Sequence, residues 1–136
     1  MKTFRLTLCD ATRRETFGEV TSFVGEDASG SFGILAGHAR LMTALLFGLA
    51  RFRRTDGAWH YLAFPGALLY FVNDELSIST RRYLLDDDYE RISAALQSQL
   101  LAEEEDLHLM KESLHRMEEE LLRRLWEMNR TGGASP

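Results

Sequence analysis

His38 is the side chain in this 136-residue chain with the best claim to acid–base chemistry. An imidazole works as a general base only when a nucleophile or a reacting proton stands within reach. No serine or cysteine occupies a recognisable nucleophile motif, and the lone Cys9 has the setting of a small buried strand residue. The missing partners therefore disfavour a small enzyme that uses His38; we name no catalytic residues, and we expect His38 to make a hydrogen bond or an interface contact.

Three glycines near His38, at positions 30, 33 and 37, could in principle cradle a phosphate. The stretch lacks the Gly-Lys-Ser/Thr ending of a phosphate-binding loop and does not sit in a βαβ unit. Glycine also permits positive φ and the close approach of another chain. The segment is therefore either a turn or an interaction loop, and the residues alone leave both alternatives open.

Metal binding has weak candidates. His108 and His115 are seven residues apart, whereas two ligands on one helix face need a spacing of about three or four. A single cysteine excludes an intramolecular disulfide and a cysteine-based zinc site. We predict no metal site and a reducing compartment.

Asp88 and Arg91 lie three residues apart at the expected start of a helix. At this spacing they can pair with each other. They could also hold a nucleotide, with the arginine on phosphate and the aspartate accepting from base or sugar. The residues alone leave both alternatives open.

Charge is unevenly distributed along the chain. Residues 1–85 carry ten Lys/Arg against eight Asp/Glu, and residues 86–136 carry six against thirteen. The acidic second part argues against nucleic-acid binding. The longest apolar run, Leu41–Ala50, falls short of the roughly 20 residues of a membrane helix, and Lys2 and Arg5 do not introduce a signal peptide. We expect membrane association only through a partner.

Glycine and proline divide the chain near Leu85, since neither occurs between Ala67 and Thr131. Before that point, turn residues separate short apolar runs about every 8–12 residues, which predicts an all-β sandwich or barrel. The expected strands are Phe4–Cys9, Glu19–Val24, Phe32–Leu35, Arg40–Phe47, Ala50–Arg54, Trp59–Phe64, Leu68–Val72 and Leu76–Thr80.

The remaining stretches of this first part are expected to be connections, notably Asp10–Glu15 and Gly25–Gly30. In the second strand, Val20, Ser22 and Val24 should share one face. A helix over Arg40–Arg51 is the local alternative to strands there.

From Asp86 the pattern becomes helical, with three aspartates that can cap the first turn. Leu100, Leu107, Leu114, Leu121 and Met128 recur every seven residues, which is typical of a coiled-coil seam. One continuous helix to Asn129 would span about 60 Å at roughly 1.5 Å per residue. We expect the helix either to fold back near Ala102–Asp106 or to reach a partner.

The run from Gly33 to Leu45 reads Gly-Ile-Leu-Ala-Gly-His-Ala-Arg-Leu-Met-Thr-Ala-Leu. It closely resembles the Gly-Ile-Leu-Pro-Gly-His-Ala-Pro-Leu-Leu-Thr-Ala-Leu signature of the epsilon subunit of F-type ATP synthases. Short strands, an apolar strand after Pro65-Gly66 and an acidic helical C-terminus follow in the family's order. Ala36 and Arg40 replace the two usual prolines.

This resemblance implies a β-sandwich, a flattened barrel of about ten short strands, followed by an α-helical segment that forms an antiparallel hairpin. We expect a β-domain at 1–85, a helical domain at 86–130 and a disordered tail at 131–136. The implied function is a non-catalytic rotor subunit of the central stalk of a bacterial F-type ATP synthase. It would couple the gamma subunit to the c-subunit ring and inhibit ATP hydrolysis when its C-terminal helices extend to the alpha–beta hexamer.

The resemblance also implies roles for individual residues. The residues implied to contact the c-ring are Gly30, Ser31 and Phe32. The residues implied to contact gamma are His38, Met42 and Thr43. Some family members bind ATP through an Ile-Asp-x-x-Arg-Ala motif, of which this chain keeps only Asp88 and Arg91. We therefore expect no cofactor and retain those two as candidate nucleotide-binding residues.

A Leu/Glu-rich C-terminus entered through Asp-Asp-Asp-Tyr-Glu-Arg looks like the alternate epsilon subunit of a sodium-translocating bacterial ATPase. Either subtype implies peripheral attachment at the cytoplasmic face of the bacterial inner membrane through the complex. The competing hypothesis is a stand-alone β-domain adaptor with a coiled-coil homodimerisation tail.

Overall fold

A computed structural model of the chain describes residues 2–132, with the backbone alone at 131 and 132. The strands are β1 Phe4–Cys9, β2 Arg14–Asp27, β3 Gly30–Leu35, β4 Leu41–Leu45, β5 Gly48–Arg54, β6 Trp59–Phe64, β7 Ala67–Val72, β8 Glu75–Thr80 and β9 Leu84–Asp86. The helical elements are α1 Tyr89–Ala95, a π-helical segment Leu96–Leu101 and α2 Ala102–Gly132.

The strands form one connected sheet in the order β1-β8-β7-β4-β2-β5-β6-β9, with β3 beside β2 and a further pairing between β1 and β2. Only the β1–β8 pair is parallel among the described pairings. The long β2 contacts β1 with its first half and β3 and β5 with its second half, so the sheet closes over a single core. This confirms the predicted β-sandwich, with nine strands in the described chain rather than about ten.

Side chains from both layers meet in one apolar core that includes Leu6, Phe23, Phe52 and Phe71, all fully buried. The predicted alternation along β1 is confirmed, since its first, third and fifth residues are buried. The predicted alternation along β2 is wrong. Val20 and Phe23 are both buried, because the register against β5 shifts by one residue between Val20 and Ser22 and a bulge of this kind reverses the faces.

Two predicted connections are wrong because short turns let the strands run further. Arg14 and Glu15 belong to β2, since the Asp10 carboxylate accepts hydrogen bonds from the backbone of Thr12 and Arg13 and closes the turn early. Residues 25–27 also belong to β2, and the loop shrinks to two residues. A helix over Arg40–Arg51 is likewise wrong, because β4 and β5 fill most of that range.

Helix α1 begins where the aspartates predicted it: Asp88 is the N-cap, and its side chain accepts a hydrogen bond from the Arg91 N–H. Ile92 and Leu100 pack with Ala63 of β6 in a second, smaller cluster. The chain divides into two compact units after Leu101, so α1 and the π-helical segment belong to the unit that holds the β-sandwich.

The second unit contains α2, a single helix of 31 residues, about 46 Å long at roughly 1.5 Å per residue. The predicted fold-back at Ala102–Asp106 and the hairpin are therefore not confirmed. The sequence there consists of strong helix formers without glycine or proline, so nothing in it breaks the helix. No helix in the described range is both long enough and apolar enough to cross a membrane.

Candidate functional site

The turn between β3 and β4 lies at the centre of the sequence signature. The His38 N–H donates to the Leu35 carbonyl at 3.1 Å, and Gly37 has φ 84°. These are the features of a type II turn with Ala36 and Gly37 at its centre. The Gly37 N–H donates to the Asp74 carboxylate at 2.7 Å, so the turn is tied to the β7–β8 connection.

His38 is exposed, and its contacts are structural. Its Nδ1 lies 2.7 Å from the Ala39 carbonyl oxygen, and because a carbonyl oxygen only accepts, Nδ1 is the donor in this contact. The ring meets Phe71 edge-on at 5.9 Å between centroids. This arrangement fits the interface or hydrogen-bonding histidine that the sequence predicted.

An apolar patch covers the outer face of the β4–β7 pair, and we call it the β4–β7 patch. It consists of Met42 beside Tyr70 and Ala44 beside Leu68, as the strand register places them. The Met42 side chain is 62% exposed and that of Leu68 is 51% exposed. Arg40 lies over the Tyr70 ring, with its guanidinium carbon 5.4 Å from the centroid. Exposed apolar side chains grouped in this way make the β4–β7 patch a candidate interaction surface.

Thr43 follows Met42 in β4 but points to the opposite face, as successive strand residues do. It is half-buried, and its hydroxyl donates to the Asp27 carboxylate at 2.7 Å. The structure therefore separates the three residues predicted to contact gamma: Met42 is in the β4–β7 patch, His38 is in the turn and Thr43 is engaged within the domain.

The β2–β3 hairpin carries the residues predicted to contact the c-ring. Its tip is Ala28-Ser29, one step before the predicted residues, with Asp27 and Gly30 paired across the turn. Ser31 is exposed, whereas Phe32 is half-buried and packs against the core. Of the predicted three, Ser31 is thus the one whose side chain is available to a partner.

Asp27 joins this hairpin to the signature strand. Its carboxylate accepts hydrogen bonds from the Ser29 N–H and hydroxyl on one side and from the Thr43 hydroxyl on the other. Hydrogen bonds from Ser29 and Thr43 lower the pKa of Asp27 below its ordinary value. The two predicted surfaces are therefore held in a fixed relation by one side chain that the sequence analysis did not single out.

The candidate nucleotide-binding pair does not form as expected. Arg91 pairs with Asp86 rather than Asp88, with Nε 2.6 Å from Oδ2 and Nη2 2.5 Å from Oδ1. Hydrogen bonding from Arg91 lowers the pKa of Asp86 to about 2. Asp88 is used as the helix cap, so each residue of the pair already has a structural partner.

A polar cluster that the sequence analysis missed surrounds Tyr83. This side chain is fully buried, and its hydroxyl donates to the Glu15 carboxylate at 2.6 Å. Arg13 lies over the ring at 4.1 Å and donates to the Tyr83 carbonyl. Burial raises the pKa of the Tyr83 hydroxyl. The cluster fastens the β1–β2 turn to the segment before β9.

Comparison with known proteins agrees with the sequence signature. Residues 3–85 match the family described as ATP synthase, Delta/Epsilon chain, beta-sandwich domain. The chain is 37% identical over 87 residues to the ATP synthase epsilon chain 2 of Cereibacter sphaeroides, covering 63% of this chain and 60% of that protein. It is 33% identical over 92 residues to the ATP synthase epsilon chain of Streptomyces griseus, covering 66% of this chain and 74% of that protein.

The fold also has a counterpart among solved structures. A chain in the Euglena gracilis mitochondrial ATP synthase aligns with a TM-score of 0.56 at 21% identity, over 68% of this chain and 60% of that chain. The fold and the matches thus define a β-sandwich protein with a helical C-terminal segment. This chain belongs to the ATP synthase epsilon-chain family. It spans 60% of the length of the Cereibacter sphaeroides protein, which is less than two thirds.

Family membership confirms the prediction of an accessory subunit without catalysis of its own. It also overturns the alternative of an adaptor unrelated to ATP synthases. The roles of individual residues are not decided by membership, and the assignments to gamma, to the c-ring and to a nucleotide stay predictions.

Proposed function

We propose that this chain is the epsilon subunit in the central stalk of a bacterial F-type ATP synthase, where it joins the gamma subunit to the c-subunit ring. The β4–β7 patch is the observation that carries the proposal. It is an apolar surface on a rigid sheet, next to the signature turn, and an exposed methionine at its centre suits contact with another protein.

Gamma is the proposed partner of the β4–β7 patch. Met42→Glu should weaken gamma binding by at least about tenfold, since burying an unpaired charge in an apolar contact costs more than about 1.4 kcal/mol. Ala58→Glu, at an exposed turn position between β5 and β6, is the matched control and should bind as the natural chain does. Equal binding by both variants to purified gamma would remove the patch from the proposal.

The β2–β3 hairpin is the proposed contact with the c-ring. Ser31→Lys places a bulky charge at an exposed position without disturbing the packing of Phe32. It should reduce retention of the soluble sector on washed membranes, and Ala58→Lys should not. Retention at the natural level in the Ser31 variant would argue against a ring-facing hairpin.

Helix α2 is the proposed regulatory element, which reaches the alpha–beta hexamer and inhibits ATP hydrolysis. Truncation after Leu101 is the better test, because truncation after Leu85 would also remove Ile92 and Leu100 from their cluster with Ala63. Loss of α2 should raise ATP hydrolysis by the assembled complex. Unchanged hydrolysis would refute the regulatory role and leave the stalk role standing.

The proposal includes no bound nucleotide. The bidentate pair of Arg91 with Asp86 and the capping role of Asp88 occupy both candidate residues, so ATP would have to displace existing contacts. Calorimetric titration of the purified chain with Mg-ATP should give no binding heat. Saturable binding abolished by Arg91→Ala would reverse this part of the proposal.

Sodium coupling stays a prediction from the C-terminal sequence.

Attachment to the cytoplasmic face of the bacterial inner membrane is proposed to follow from the complex alone. Carbonate or high-salt washing should release the chain together with the soluble sector. Release of that sector without the chain would point to a separate membrane anchor.

A further inference from the structure

Helix α2 carries an apolar seam along most of its length. In a heptad that starts at Leu107, the a positions are Leu107, Leu114, Leu121 and Met128, and the first two d positions are Met110 and Met117. The side chains of Met110, Leu114, Met117 and Leu121 are between 54% and 63% exposed. Two consecutive heptads are apolar at both a and d, and the a positions stay apolar through Leu121 and Met128, the pattern of a coiled-coil seam.

Two histidine–glutamate pairs of α2 lie outside the seam. His108 pairs with Glu112 and His115 with Glu119, each at 3.0 Å, and all four residues lie at the b and f positions, away from the seam. Of the three e positions that border the seam, Lys111 and Glu118 are charged and Leu125 is apolar. Charges at e and g determine partner choice and orientation in coiled coils.

A parallel pairing of two α2 helices places like charges together. Arg124 is at a d position and would face Arg124 of the second copy across the seam. The acidic run Glu103–Asp106 would lie beside the same run of the second copy. Both contacts oppose parallel association.

An antiparallel pairing removes both conflicts and leaves one like-charge contact, Asp106 beside Glu127 of the second copy at the g positions. With Leu114 facing Met117 of the second copy, Met110 faces Leu121 and Leu107 faces Arg124. The guanidinium of Arg124 can extend from that layer towards Asp106 of the second copy, as long basic side chains do. Lys111 then lies beside Glu118 of the second copy, and this pair occurs twice because antiparallel dimers have two-fold symmetry.

We propose that the α2 seam binds a second copy of this chain as an antiparallel two-stranded coiled coil. This interface is independent of the proposed stalk function, since it uses only α2. One seam cannot hold a second copy and another subunit at the same time, so the dimer is a state of the unassembled chain.

Sedimentation equilibrium of the purified full chain tests the pairing and its direction. The natural chain should associate to a dimer in a concentration-dependent manner. Lys111→Glu alone, or Glu118→Lys alone, turns two attractive contacts into repulsive ones and should raise the dissociation constant about tenfold. The double variant exchanges the charges and should return the dissociation constant to near the natural value.

Glu112→Lys is the control, since it makes the same charge change at an outward position and should leave dimerisation unchanged. Far-ultraviolet circular dichroism checks that helicity is equal in all variants. A chain that stays monomeric at hundreds of micromolar would overturn the proposal. So would a dimer that ignores Lys111→Glu, or one that the double variant fails to restore, because Lys111 and Glu118 meet only in the antiparallel register.

Discussion

The signature turn offers a direct test of how the chain holds its interaction loop without the family's first proline. Ala36 is the second residue of the type II turn that Gly37 and the His38–Leu35 hydrogen bond define. Proline is favoured at that position, and Leu35 before it is in a β-strand, the conformation that a following proline prefers. Ala36→Pro should therefore stabilise the domain.

The expected gain is about 0.4–1 kcal/mol, because proline restricts the unfolded chain while the folded backbone already has the required shape. For a domain of about 100 residues this corresponds to a rise in the melting temperature of roughly 2–8 °C. Gly37→Ala supplies the opposite control. A Cβ there would meet nothing within 4 Å, so the cost of about 1–2 kcal/mol would come from the positive φ alone.

Urea unfolding followed by circular dichroism measures both variants against the natural chain, at a pH near 7. The slope of the free energy against urea should be the same in all three, so that midpoints can be compared directly. A destabilised Ala36→Pro chain would refute this reasoning. It would show either that the Ala36 N–H donates a hydrogen bond in the folded chain or that its φ differs from the value that proline requires.

Three further outcomes follow from the contacts around the site. Asp74 accepts the Gly37 N–H and has φ 58°, a conformation that aspartate and asparagine adopt more readily than alanine. Asp74→Ala should therefore lower the unfolding free energy by about 1–2 kcal/mol. Asp74→Asn, which keeps an acceptor, should lose little, and equal urea midpoints for the two variants would contradict this. Because the pKa of Asp86 is lowered from 3.8 to about 2, its contribution is complete above about pH 4 and is lost as the pH falls towards 2. Arg91→Met should weaken this part of the acid dependence and leave the share that comes from the Asp88 N–H, which also donates to Asp86; an unchanged pH profile of unfolding would argue against the pair. Tyr83→Phe removes the hydroxyl that donates to Glu15 and should cost about 1 kcal/mol in thermal unfolding, so a variant as stable as the natural chain would show that the bond contributes nothing.

Alternation and turn residues were sufficient to predict the sandwich and most of its strands. They failed along β2, where the turn at Asp10 and the bulge after Val20 depend on side-chain hydrogen bonds and on pairing with β5. The pairing with β5 joins residues distant in the sequence, and the Asp10 turn depends on a side chain that bonds to the backbone. Local strand propensity predicts neither. The three-residue β9 was missed for the same reason, since its pairing with β6 defines it.

The candidate site divides in a similar way. The opposite orientation of Met42 and Thr43 was available from strand alternation, yet the resemblance assigned both residues to one partner. The hydrogen bonds that the Thr43 hydroxyl donates to Asp27 and the Gly37 N–H donates to Asp74 join residues far apart in the chain, and the sequence offers no signal for them. The Arg91 guanidinium pairs with Asp86, whereas the Asp88 carboxylate accepts a backbone N–H as the helix cap.

Affinity purification of the tagged chain from cells that express it naturally tests the central claim most directly. Mild detergent extraction of membranes followed by mass spectrometry should recover gamma, the c subunit and the alpha and beta subunits with it, at one copy of this chain for each gamma. Recovery of the chain without ATP synthase subunits would contradict the account.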